Sequence, residues 1–250
     1  MSSSLKPSTM LAAVGVAVAA VMVVVWVERK GRERIRTTEL CVPEDCPTLE
    51  KAVERAKSGD ITTIRLAKGI HEVEGDEVNI TGGLPITIVG AGKNETIIQG
   101  GVFLISGGDV NSTQEVLLQD MTIRKTKMNG VFNRGGLPLR MVDVAMDACG
   151  WSGMVVMDGA RADCTNVTVS QCRFSGFVAY DGSCITLRGE RTSVTENATD
   201  ENGAGYGLDA CGSSSVITLI SPLTKERVSR NNGGGRNWKT ENGGKIVEYE

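Results

Sequence analysis

The chain has 250 residues, 31 of them glycine, with 4% aromatic residues and only 6 prolines. Many turns and few large anchors disfavour a helical bundle and suit a repetitive β fold. Six of the 27 basic residues and two of the 30 acidic ones lie within residues 1–36, which leaves the remainder at −7. A nucleic-acid-binding body needs a basic face, so no nucleic-acid partner is expected.

Residues 1–9 read as a short N-terminal tail. Met10 to Val27 then runs for 18 residues without a charge. At 1.5 Å per residue it is about 27 Å long, enough for a thin bilayer, and Trp26 stands where an interfacial aromatic belongs. The segment predicts one transmembrane helix. A cleaved signal peptide is the alternative, since Ala17-Val18-Ala19 has the small residues of a cleavage site. Residues 28–40 form a charged juxtamembrane linker. Its five basic residues place the body in the cytosol by the positive-inside rule. Five sequons, at Asn79, Asn94, Asn111, Asn166 and Asn197, argue for a lumenal or extracellular body instead, which is the side favoured here. Asn and Thr are also common in β-solenoid turns. Cys41 and Cys46 form a C-x4-C pair open to a disulfide, although spacing alone does not establish one.

Pro47 to Gly59 predicts a short amphipathic helix. Leu49, Ala52, Val53 and Ala56 share one face, Thr48 is positioned as N-cap and Gly59 as the stop. Strand-like runs follow at 61–66, 86–89 and 96–98, separated by glycine-rich turns.

From Gln114 onward the chain repeats. Rows starting at Gln114, Leu137, Ala160 and Ser183 are 23 residues apart. They align Val116, Leu139, Ala162 and Ile185 in one column, and Leu118, Met141, Cys164 and Leu187 in another. Ile123, Met146 and Val169 form a third, which Val194 joins after a two-residue insertion. Met128-Asn-Gly, Trp151-Ser-Gly and Phe174-Ser-Gly also align. A coil of short strands cannot bury its apolar face alone. Stacking coils at about 4.8 Å gives every strand parallel neighbours and one continuous core. The pattern therefore predicts an all-β fold: a single-stranded right-handed parallel β-helix over 41–235, with a short N-terminal capping helix and a C-terminal tail over 236–250. A β-sandwich needs no fixed register, and an α/β repeat lacks its helices here.

The entry segments, Thr48-Leu-Glu-Lys-Ala-Val53, Ser58-Gly-Asp60, Ile64 to His71 and Leu84 to Gly92, resemble the first coil of the pectin-lyase-like superfamily. The resemblance extends over roughly 41–235. It implies fold more than activity, because that superfamily holds lyases, hydrolases, esterases, adhesins and binding modules. Three of its active-site signatures are incomplete. Asn197-Ala-Thr-Asp200 and Asp209-Ala-Cys depart from the polygalacturonase-like pattern, and the single histidine, His71, lies in the entry coil. The Arg-x-Pro-x-x-Arg run of pectate-lyase-like enzymes is missing. Gln119-Asp120 lacks the flanks of the pectin-methylesterase-like motif.

One constellation invites chemistry. Asp158, Asp181 and Asp209 are aligned in one column, beside Asn133-Arg134 of the preceding coil. Carboxylates on adjacent or alternate coils would lie about 5 or 9.6 Å apart, within reach of glycosidase geometry or of a bound calcium ion. Asp-Gly is equally a common turn pair. Asp120, Asp143 and Asn166 read as a turn ladder, Cys149 and Cys172 as stacked free thiols or a cross-coil disulfide, and Met128, Trp151 and Phe174 as core packing. The expected function is a membrane-anchored interaction module that binds an extended glycan or a protein without catalysis and without a cofactor. The alternative is a divergent polysaccharide hydrolase or lyase using the Asp column.

Overall fold

A computed structural model describes residues 38–250, which form one compact unit. The expected tail, the expected transmembrane helix at 10–27 and nearly all of the expected linker lie outside the described residues. Among the described residues no helix is long and apolar enough to cross a membrane.

The unit is an all-β parallel solenoid of about eight coils. Its strands run from β1 (Glu39–Val42) to β21 (Lys245–Tyr249). One face is a seven-stranded sheet in the order β20-β17-β14-β11-β9-β7-β4: Trp238–Glu241, Leu208–Cys211, Phe177–Tyr180, Met154–Met157, Val131–Arg134, Val102–Ser106 and Glu77–Thr81. The remaining strands form a fourteen-stranded sheet bent around a corner, and every pair is parallel. The registers reproduce the sequence columns. Leu139 pairs Val116 and Ala162, Ala162 pairs Ile185, and Met146 pairs Ile123 and Val169. These inward residues are buried, so each coil adds a layer to one core. Every fully buried Leu, Ile or Val contributes roughly 1.5–3 kcal/mol relative to exposure.

The corner is made by residues in the left-handed region. In β8 (Val116–Arg124) and β10 (Leu139–Asp147) the bend falls at Asp120 and Asp143, with φ of 56° and 52°. Asn166 (56°) and Gly189 (81°) continue the ladder. Asp and Asn tolerate this conformation and glycine is free of its cost, which is why these residue types stack there.

Helix α1 (Leu49–Ala56) covers the N-terminal end. Thr48 Oγ1 accepts from the Lys51 N–H at 3.4 Å, and Leu49, Ala52, Val53 and Ala56 are buried where the helix packs on β1, β2 (Thr63–Leu66) and β4. A second helix, α2 (Lys225–Val228), is a single turn.

One boundary and one candidate disulfide differ from the sequence expectation. Residues 236–250, expected as a tail, supply β20 and β21, which pair in parallel with β17 and with β18 (Val216–Ile220). Lys239, Glu241, Lys245 and Glu248 break the apolar alternation there, so the last coil has no clear periodic signature. Cys41 and Cys46 are free thiols, as are the other five cysteines. The Cys41–Cys46 turn is closed instead by hydrogen bonds: Cys46 N donates to Cys41 O (3.2 Å), and Cys41 N to Asp45 Oδ2 (2.8 Å).

Candidate functional site

Asp158 and Asp181 occupy equivalent turns, Met157-Asp-Gly-Ala160 and Tyr180-Asp-Gly-Ser183. Each turn is closed by an i+3 N–H donating to the first carbonyl at 3.3 Å. Both central residues have positive φ, 57° and 72° in the first turn, 48° and 73° in the second. This is the type I′ arrangement, for which Asp-Gly is the favoured pair. The Asp158 carboxylate accepts from Arg134 Nε at 2.9 Å.

Asp209 does not belong to that column. It pairs with Val178, and the position under Asp181 falls near Gly212. The register of β17 is fixed by Leu208, which stacks over Phe177 and Met154 in the core. Burying that leucine outweighs aligning two carboxylates. Among the described residues no group of three or more His, Cys, Asp or Glu side chains is arranged to hold a metal ion. Asp158 and Asp181 thus stay one coil apart in the same column, and Asp209 stands outside it.

A different constellation lies on the outer face of the seven-stranded sheet. One outward column carries Leu104, Phe132, Val155, Val178 and Asp209 on successive coils. Met128, Trp151 and Phe174 flank it. They are not core residues: Trp151 is 47% exposed, and Met128 and Phe174 are half-buried. Two hollows of about 530 and 540 Å³ join along this face, sharing Asn129, Phe132 and Trp151. Arg134, Asp158 and Glu77 border one, and Val178, Phe174 and Asp209 border the other.

The aromatic wall faces outward because of the residue that follows each wall position. Asn129, Ser152 and Ser175 turn inward and are buried. Asn129 Oδ1 accepts from Ser152 N (3.1 Å), Ser152 Oγ from Ser175 N (3.2 Å), and Ser175 Oγ from Tyr206 N (3.0 Å). This ladder satisfies backbone N–H groups that would otherwise be buried unpaired. With the polar residue inside, its bulky predecessor is left on the surface. The glycine after it is required by space: a Cβ on Gly153 would stand 2.3 Å from Val169 Cγ1 and 2.8 Å from the Gly176 carbonyl. The polar residue before each repeated glycine is the sequence signal for this wall.

Asp209 closes the second hollow. Burial raises its carboxyl above the ordinary aspartate value of 3.8, Lys239 opposes the shift, Glu241 adds to it, and the Ser175 hydroxyl opposes it. A raised carboxyl means that the native state holds the proton more tightly than the unfolded chain does. Its ionised form therefore costs stability above the folded value, and the cost disappears as pH falls toward 3.8. Asp209→Asn is expected to be more stable than the parent at neutral pH. Urea midpoints across a pH series should show that advantage shrinking on acidification. A constant difference would show that the carboxylate is not desolvated.

Cys149 and Cys172 stack one coil apart behind the Trp151–Phe174 wall, both buried and both free. Cys172 Sγ donates to the Ser170 carbonyl at 3.5 Å, and the neighbouring Cys149 thiol together with burial pushes Cys172 up. Of the five sequons, Asn94 and Asn111 are exposed, Asn79 is half-buried on β4 and Asn166 stands in the corner ladder. Asn197 is 1% exposed, with its amide fully engaged inside the core, so no glycan can be attached there in the folded protein.

No protein-family model, no curated protein sequence and no solved structure matches this chain. The chemistry of the face itself carries the functional reading.

Proposed function

We propose that this chain is a binding module whose outer trough holds an extended glycan without turning it over. The observation that carries the reading is Trp151, nearly half exposed between Phe132 and Phe174 over two joined hollows. An exposed aromatic presents a flat apolar surface to the C–H face of a sugar, and polar groups at the rim take its hydroxyls. Arg134 and Asp209, which border the hollows, supply such groups. The column from Leu104 to Asp209 crosses four coil spacings, roughly 19 Å, which suits a chain of sugars better than a small molecule.

Catalysis by paired carboxylates is the weaker reading. Asp158 and Asp209 are two coils and about three residues apart, on the order of 14 Å, beyond the roughly 5–9.5 Å span of glycosidase pairs, and Asp181, one coil from Asp158, lines neither hollow. Asp158 is also already engaged by Arg134.

In the same proposal the solenoid winds right-handedly, as parallel crossovers almost always do. The entry-coil resemblance makes it a divergent member of the pectin-lyase-like superfamily. The apolar segment 10–27 holds it at a membrane, with the trough on the lumenal or extracellular side.

The test is a glycan array with the full chain, followed by calorimetry of the best binder with parent and Trp151→Ala. Loss of a central aromatic anchor should weaken binding by about tenfold or more. Melting should change little, because the side chain is half in water already. Equal affinity of parent and variant, or release of new reducing or unsaturated ends from the glycan, would overturn the proposal.

A further inference from the structure

The walls of the trough are apolar, but its charged groups are not balanced. Glu77, Asp158 and Asp209 line it against a single cation, Arg134, and that guanidinium is committed to Asp158 at 2.9 Å. Asp209 makes no salt bridge to a residue of the hollow's lining, and its charge is eased only by Lys239 on the next coil. The lysine on the next coil, Lys239, directs its ammonium to Glu241 at 2.7 Å and lies 5.4 Å over the Tyr206 ring. Asp209 is thus a half-buried carboxylate beside Val178 and Phe174, with the Ser175 hydroxyl as its hydrogen-bonding neighbour and acceptor capacity left over.

Partly desolvated carboxylates are stabilised most by a donor that carries positive charge. They repel anionic ligands, and the same low-dielectric wall that raises the cost of burying the carboxylate strengthens that repulsion. A uronate or sulfated chain laid along Leu104, Phe132, Val155 and Val178 would bring its negative groups against Asp209 at one end and Glu77 at the other. A chain of amino sugars would bring an ammonium to Asp209 while its apolar face rests on Trp151 and Phe174.

We infer that the trough selects glycans bearing free amino groups, and that Asp209 is the residue that reads the ligand's charge. This rests on the trough being a glycan site. A basic peptide has the same charge, but an aromatic wall spaced along successive coils fits a flat repeating ligand better than side chains of varied shape.

The experiment titrates the full chain with three probes: an oligomer of glucosamine, the same oligomer N-acetylated, and an oligogalacturonate. The buffer keeps both the amine and the carboxylate charged. Glucosamine oligomer is expected to bind tightest, about tenfold above its N-acetylated form, with oligogalacturonate weakest. Asp209→Asn should remove that preference by lowering the glucosamine oligomer's affinity to that of the N-acetylated form. Its melting temperature should not fall, so lost preference cannot be lost folding. Equal affinity for the two glucosamine forms, or no effect of Asp209→Asn on either, overturns the inference. The trough reading then survives if Trp151→Ala still abolishes binding. Preference for the oligogalacturonate overturns the inference outright. Absence of binding to all three overturns it, and the array decides the fate of the trough. Tight binding of an oligolysine that is insensitive to Trp151→Ala would assign the face to a protein partner and overturn both.

Discussion

Val167→Asp is expected to cost roughly 4 kcal/mol or more, enough to unfold much of the population of an ordinary domain. Val167 is 0% exposed and stands just past the corner residue Asn166, in line with Val144 and Met121 of the preceding coils. Two terms add. Removing the valine forfeits about 1.5–3 kcal/mol of apolar burial, and placing an unpartnered carboxyl in the stack costs roughly 2 kcal/mol or more. The new group would stay protonated at neutral pH, because ionising it there is costlier still. Thr218→Asp is the control. Thr218 lies on β18 between the buried Ile217 and Leu219, and it faces outward. It should lose less than about 1 kcal/mol. Urea unfolding of the two variants beside the parent measures both. Similar losses would mean that the inward and outward positions have been exchanged, which a one-residue shift of register would produce.

That contrast rests on a feature legible from residues alone. The 23-residue spacing predicts the register because stacked coils place like on like, and Val116, Leu139, Ala162 and Ile185 do pair in that order. Columns of large aliphatic residues carry a strong signal, since each member is buried for the same reason. Polar columns carry a weak one. Asp209 follows Leu208 as Asp158 follows Met157 and Asp181 follows Tyr180, so the three aspartates align by eye. The longer loop before Gly205 moves the frame by three positions, and only the burial of Leu208 settles where β17 sits. The aromatic wall is misread for a related reason. Large apolar residues in a repeat read as core, and Trp151 would be core if Ser152 were not needed inside to receive the Ser175 N–H. The site is therefore written in small residues, Asn129, Ser152, Ser175 and their glycines, whose roles depend on hydrogen bonds between coils.

The same logic of inward polar ladders leads to the second large effect. Asn197→Ala is expected to destabilise by about 3 kcal/mol or more, against the near-silence of an alanine at a surface sequon such as Asn111. Asn197 is 1% exposed and occupies the position of Cys149 and Cys172 two coils and one coil earlier. Its Oδ1 accepts from the Cys172 N–H at 3.1 Å. Its Nδ2 donates to the carbonyls of Val169 and Thr195, both at 3.1 Å, and to Asn232 Oδ1 at 3.0 Å. Asn232 in turn receives the Asn197 backbone N–H at 2.9 Å and takes the Asn237 side chain as its own acceptor for N–H at 3.1 Å. Alanine would leave the Cys172 donor without an acceptor in a space closed to bulk water, and would take a donor from the Val169 carbonyl. Each buried orphan costs roughly 1–3 kcal/mol, and the two do not relax independently because they face one small cavity. Hydrogen exchange locates the damage: the Cys172 amide should lose most of its protection in Asn197→Ala, while amides of β8 and β10 fall only with global stability. A loss below about 1 kcal/mol, with Cys172 still protected, would mean that water replaces the amide and that the ladder is dispensable.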